Sequence, residues 1–357
     1  MDPVQQTLAA ISLETPVPLE ARPGVPEQAH LFDRPSVLAL QAAYAARRPL
    51  LVRGEPGCGK TQLAAAAAKV LGWSLKTHVV DARTESTDLL WRFDPVRRLA
   101  EAQVCGALGL SSAEVESRLD IRRFITPGPL WWGFDWKGAV QHLKEFGAGA
   151  VHSRPAQTGP ARDQSPKTVS AIVPSVKGCV VLIDEIDKAD GDVPNGLLEA
   201  LGAGEFTPEG CDRVRIGPFP LLIIVTTNEE RALPDAFVRR CLVLKYTLPT
   251  GDALKKFLVD RAAAHFIDLP EIAGSGQVGV ETPFADPQPL DRSLLEDAAD
   301  MLLGDRAAGV LPMPGLAEYL DLLRAVREMA ASGIGTPQQL LADLRRYTLQ
   351  KHVGEGL

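Results

Sequence analysis

The chain has 357 residues, 45% apolar and 23% charged, the balance of a soluble globular protein with one large and one small domain, or two or three of ordinary size. A formal charge of −7 and a pI near 5.5 argue against a broad nucleic-acid footprint, though not against a local basic pore. Five cysteines without a CxxC pair and six histidines without an HExxH spacing argue against a disulfide scaffold and a zinc site.

Residues 1–30 form a proline-punctuated approach segment. The opening MDPVQQTLAAISLETPVP lacks the basic start and apolar core of a signal peptide, so the expected location is cytoplasmic. No apolar run is long enough to span a bilayer, and no membrane span is expected. PSVLALQAAYAARR then reads as a helix and RPLLVRG as a short buried strand ending in glycine. KTQLAAAAAKVLG is a strong helix former closed by Gly72. LKTHVVDA is a second strand candidate. DPVRRLAEAQV is helical, and RRFITPGPLWWGF carries two adjacent tryptophans, Trp131 and Trp132.

The polar, proline-containing stretch 152–168 reads as a mobile loop. KGCVVLIDEIDKA has the continuous Val, Leu and Ile run of a strand buried on both faces of a parallel sheet. A helix, NGLLEALGAGEF, precedes another buried strand, LLIIVTTN, and LVLKYTLPT is the last strand candidate. Beyond Asp252 the pattern is almost wholly helical. The expectation is an α/β domain over 31–250 and a smaller helical domain over 251–357.

GEPGCGKT satisfies G-x-x-x-x-G-K-[ST] in the required strand–turn–helix context. Backbone N–H groups of Gly54, Glu55, Pro56, Gly57, Cys58, Gly59, Lys60, Thr61 and Gln62, proline excepted, and the start of the next helix would wrap nucleotide phosphates. Lys60 would bring positive charge to the outer phosphates, and Thr61 would place its hydroxyl on Mg²⁺.

LIDEID puts adjacent carboxylates at a strand's C-terminal end, where ligands bind in such sheets. Asp184 would hold Mg²⁺ directly or through water, and Glu185 would polarise an attacking water. Asp187 and Lys188 read as helix-start charges or, less simply, as a subunit contact. Asn228 ends the next buried strand, where its amide would orient the water from the side opposite Glu185; alone it would be a turn residue. Arg239 and Arg240 follow in ALPDAFVRRC. A guanidinium near the sheet edge would stabilise charge building on a transferring phosphoryl group, more plausibly in a neighbouring subunit's site than its own. Position alone does not separate the two, and local pairing is the simpler account of either.

With these parts in this order, the chain resembles the AAA+ ATPases over roughly residues 30–350. TDLLWRFDPVRRL, FITPGPLWW and ALPDAFVRRCLVLKYTLP resemble the MoxR-like branch. The resemblance implies a P-loop NTPase three-layer α/β sandwich followed by a small helical lid. Lys60 and Thr61 match the Walker A pair, Asp184 and Glu185 Walker B, Asn228 sensor 1, and Arg240 the arginine finger, with Arg239 a second inter-subunit candidate. A helix-2 hairpin would fall near 121–135 and face a central channel, so Trp131 and Trp132 either touch a client or pack in the core. Where a sensor-2 arginine is expected, GTPQQLLADLRR has Gln338, with Arg345 or Arg346 as substitutes two turns further on.

The implied activity is Mg²⁺-dependent ATP hydrolysis by a homo-oligomer, a ring of six in the family. It would be coupled to chaperone-like remodelling of a protein client, often one carrying a von Willebrand factor A domain. The rival readings are a nucleic-acid-directed motor or defence component of the McrB kind, using GTP, and a slow nucleotide-gated scaffold.

Overall fold

A computed structural model describes residues 2–21, 26–147, 176–267 and 289–350; the polar stretch 152–168 lies outside them. Five strands form the main sheet: β1 (Leu50–Gly54), β2 (Ser74–Val79), β3 (Cys179–Asp184), β4 (Leu221–Thr227) and β5 (Leu242–Tyr246). Their order across the sheet is β5-β1-β4-β3-β2. β4 runs parallel to β1, and β3 runs parallel to both β4 and β2. All six residues of β3 are buried, as are six of the seven in β4, because central strands of a parallel sheet are covered on both faces.

The register decides what meets at the sheet's C-terminal edge. Val225 lies opposite Ile183, which sets Thr226 beside Asp184, and Thr227 lies opposite Arg53. β3 and β4 therefore end within one residue of each other, with Glu185 following Asp184 and Asn228 following Thr227.

The chain divides into two compact units. The first contains Met1–Ala9, Val37–Arg53 and Ala67–Leu244; the second contains Ala10–Ser36, Gly54–Ala66 and Lys245–Leu357. In the first, the core gathers Val181, Ile183, Ile223 and Val225 from the sheet with Leu130, Phe134, Leu197 and Phe237. The second is built on α1 (Asp252–Phe266), α2 (Arg292–Ala307), α3 (Leu316–Ala331) and α4 (Pro337–Thr348). These bury Leu258, Leu295, Leu302, Leu323 and Tyr319, whose hydroxyl donates to the Leu295 carbonyl at 2.7 Å. α4 opens on a capping box in which the Thr336 side chain accepts from the Gln339 N–H.

Residues 121–135 hold the 3₁₀ turn Ile121–Phe124, the short strand Ile125–Pro127 and the helix Pro129–Phe134. Ile125–Pro127 pairs antiparallel with Trp91–Phe93, and the segment between them carries the helices Pro95–Leu108 and Ser112–Arg118. The client-contact reading of Trp131 is corrected here, since it is only 4% exposed. Its ring sits 5.0 Å from His142 and 6.2 Å from Phe206, centroid to centroid. Trp132 is partly buried beside Trp136, and Lys76 Nζ lies 4.1 Å from its ring centre. Adjacent tryptophans bury more apolar area inside than a channel face would allow.

The second unit buries two imidazoles. Desolvation lowers His30 from the ordinary 6.5 to about 3 and His265 to about 4, with the nearby Arg261 guanidinium acting in the same direction. Above pH 6.5 both rings are neutral folded or unfolded, and neither affects stability. Between 6.5 and about 3–4 only the unfolded chain takes up these protons, so stability falls as pH falls. Thermal melts across this range should show the decline, and His30→Leu should make it shallower while leaving the His265 part in place.

Candidate active site

The phosphate loop belongs to the second unit. Gly57 and Gly59 adopt φ values of +73° and +96°, which side-chain-bearing residues rarely hold. A Cβ on Gly57 would stand 2.7 Å from the Ala317 Cβ, so the motif's glycine serves both the turn and the close approach of α3. Gly57→Ala should therefore destabilise the protein by about 1–3 kcal/mol and weaken nucleotide binding; melting and nucleotide titration report each effect separately.

Lys60 is 6% exposed, and its ammonium donates to the carbonyls of Gly54 and Glu55, both at 2.8 Å. The lysine is folded onto its own loop, and a phosphate would exchange these carbonyls for anionic oxygens. Cys58 is buried, and burial raises its thiol pKa despite the opposing Lys60 charge. It is a protonated packing group, not a nucleophile.

The same unit revises the sensor-2 expectation. Gln338 is exposed, and Arg345 is committed to the buried Asp305, with its Nε at 3.0 Å. Arg346 donates to the Tyr347 hydroxyl. Among the described residues the lid guanidinium paired with the phosphate loop is Arg306, with Nη2 3.8 Å from Glu55 and Nη1 donating to the Pro314 carbonyl at 2.7 Å. Nothing in the spacing of Arg306 singled it out, because only the packing of the lid brings it there.

The carboxylates belong to the first unit. Asp184 is 8% exposed, and its Oδ1 accepts from the Thr226 hydroxyl at 2.6 Å. That same hydroxyl accepts the Glu185 N–H at 2.8 Å, so Thr226 joins both acids to β4. Thr226, the first of two threonines that end an apolar strand, has no role in the sequence reading, and its register opposite Asp184 gives it this place.

Glu185 sits in the left-handed region at φ 58°, ψ 49°, a conformation that costs on the order of 1–3 kcal/mol without glycine. The Thr226 bond on one side and the fully buried Ile186 on the other hold it there. The resulting turn aims the carboxylate at Asn228, whose Nδ2 donates to Glu185 Oε1 at 3.0 Å.

Asp187 lies in the first turn of the 3₁₀ helix Ile186–Lys188, a helix-start charge, and it is only 2% exposed. Its carboxylate accepts the backbone N–H groups of Asn228 and Glu230, at 3.1 Å and 2.9 Å to Oδ2. Lys188 pairs with Glu230 at 2.6 Å.

Arg239 and Arg240 are both exposed and make no hydrogen bond to Asp184, Glu185 or Asn228 among the described residues. They follow the short helix Asp235–Val238, anchored by the fully buried Phe237. Arg240 Nη1 donates to the Ala236 carbonyl at 3.1 Å, whereas the Arg239 carbonyl accepts from Arg48 at 2.6 Å.

The family profile of the AAA domain, dynein-related subfamily, matches residues 49–241, more than half of the chain. The chain belongs to this AAA family. No curated protein matches it. Among solved structures, the Thermotoga maritima RuvB Holliday junction branch migration motor aligns at 15% identity with a TM-score of 0.39, over 87% of this chain and 66% of that one. A mutant form of Thermotoga maritima RuvB aligns at 16% identity with a TM-score of 0.40, over 88% of this chain and 68% of that one. Nothing about activity follows from likenesses at this level. The AAA assignment agrees with the five-stranded sheet and the helices that follow it, and it makes the chain a nucleotide-binding protein of the AAA+ ATPase class.

Thr61 in the second unit and Asp184 in the first each carry oxygen, the donor type that suits a hard cation such as Mg²⁺, which keeps several waters and takes one or two protein ligands beside substrate phosphates. Among the described residues no group of three His, Cys, Asp or Glu side chains could hold a metal ion.

Proposed function

We propose that this AAA protein hydrolyses ATP, with the phosphate loop holding the nucleotide's phosphates and the carboxylate turn activating water. The observation that carries the reading is the strained Glu185, held with its carboxylate 3.0 Å from the Asn228 amide directly after a buried aspartate. A left-handed glutamate braced on both sides is a costly arrangement, and it orients a base and an amide toward one water.

In this mechanism Lys60 leaves its loop carbonyls for the outer phosphates. Thr61 and Asp184 would each offer an oxygen to Mg²⁺, which would supply neutralising charge to the phosphates. Glu185 takes the proton of the attacking water, Asn228 fixes that water's direction, and water attacks the γ-phosphorus as the bond to the β–γ bridging oxygen breaks. ADP and phosphate leave, and no covalent enzyme intermediate forms. Arg240, with Arg239 as the alternative, offers a guanidinium to the site of a neighbouring copy in a ring, which we take as six subunits.

The likeness of TDLLWRFDPVRRL and ALPDAFVRRC to the MoxR-like pattern supports a cytoplasmic remodelling ATPase acting on a protein client, with a von Willebrand factor A-domain protein as its kind of partner. Phosphate release from ATP, with Mg²⁺ and after chelation by EDTA, tests the core of the proposal. Turnover that needs the metal is the expected result; binding of ATP without phosphate release would leave only a nucleotide-gated scaffold.

A further inference from the structure

Asp187 is not required by the mechanism above, yet it is the most thoroughly buried carboxylate of the acidic turn, at 2% exposure. Its partners are backbone donors. The Asn228 N–H lies 3.3 Å from Oδ1 and 3.1 Å from Oδ2, and the Glu230 N–H lies 2.9 Å from Oδ2. Between them Glu229 takes φ +61°, a second non-glycine residue in the left-handed region beside this turn. A bend of this kind persists only when its surroundings over-determine it, and charge-assisted bonds from a buried carboxylate to two of its N–H groups do so.

The segments joined in this way are the ones that matter for hydrolysis. Glu185 and Asp187 lie on one turn, Asn228 on the other; the Glu185 side chain meets the Asn228 amide while the Asp187 side chain holds the Asn228 backbone. Two bonds from one turn thus converge on a single residue 41–43 positions away. With only the Glu185 bond, the Asn228 side chain could follow the carboxylate wherever it moved. The Asp187 bond fixes the backbone from which that amide extends.

We propose that Asp187 is a positioning residue for hydrolysis, acting through Asn228 and not on the nucleotide. The inference rests on the hydrolysis reading above. Both Asp187 oxygens are occupied by backbone donors, which disqualifies it as the base and leaves it the role of setting geometry. Misplacement of a reacting or orienting group by about 1 Å costs on the order of a hundredfold in rate.

The test is a double-mutant cycle between Asp187→Ala and Asn228→Ala, reading kcat, KM and melting temperature for the full chain. Asp187→Ala should lower kcat about a hundredfold with ATP affinity unchanged, and it should cost almost nothing more in the Asn228→Ala background. Asp187→Asn, which keeps one carbonyl oxygen for the two N–H groups, should recover kcat to within about tenfold of wild type. If Asp187→Ala does not fold, Asp187→Asn run through the same cycle reads the same coupling from a smaller loss. Losses that simply multiply, or a fall in melting temperature with kcat intact, would overturn the positioning role alone. A wild type with no turnover would overturn the hydrolysis reading together with it.

Discussion

Glu185→Gln should abolish measurable turnover, a loss on the order of 10²–10⁴-fold, while ATP stays bound. The substitution preserves shape and keeps one oxygen for the Asn228 amide, so the left-handed turn and its Thr226 bond have no reason to change. What disappears is the ability to take a proton from water. Lys60 and its loop lie outside the change, and the nucleotide should be retained and assembly strengthened. Nucleotide titration beside steady-state phosphate release separates the outcomes: bound ATP with lost turnover assigns the base to Glu185. Undiminished turnover would remove that role, and loss of binding would mean the turn serves the loop and not the water.

The second large effect is expected of Arg240→Ala. An arginine supplied to a neighbour's nucleotide is worth about 10³–10⁵ in turnover, because it meets charge that builds only in the transition state. Both arginines are exposed directly after the short helix pinned by Phe237, which gives them a firm base. The wild-type rate per subunit should rise with protein concentration, and the variant should bind ATP yet lose turnover at every concentration. The Arg240 bond to Ala236 is a single neutral acceptor at 3.1 Å and would yield readily to a phosphate. Among the described residues the Arg239 side chain makes no hydrogen bond or ion pair, so it is the one to change next. A rate independent of concentration and indifferent to Arg240→Ala would move the assignment there, or to a separate activating protein.

Much of this molecule is legible in the chain alone, for local reasons. The alanine-rich helix after GEPGCGKT, the glycines at φ +73° and +96°, and the unbroken Val-Val-Leu-Ile run of β3 each follow from backbone freedom, helix propensity or two-sided burial. Those properties need no partner from elsewhere in the chain, so Lys60, Asp184, Glu185 and Asn228 could be singled out by spacing.

The tertiary structure decided what depends on register and side-chain surroundings. Trp131 could have faced a channel or a core, and only its packing on Phe206 and His142 chooses the core. Asp187 reads from sequence only as a helix-start charge; the alignment of β3 with β4 is what lets it accept the backbone N–H of Asn228. Thr226 gained its link to both acids in the same way. The lid cation beside the phosphate loop is Arg306 and not a residue of the last helix, because helix packing, which no local pattern encodes, fixes which guanidinium arrives there. Sequence determined the chemistry this chain carries. Burial and strand register, which join residues some 40 positions apart, decided how that chemistry is held.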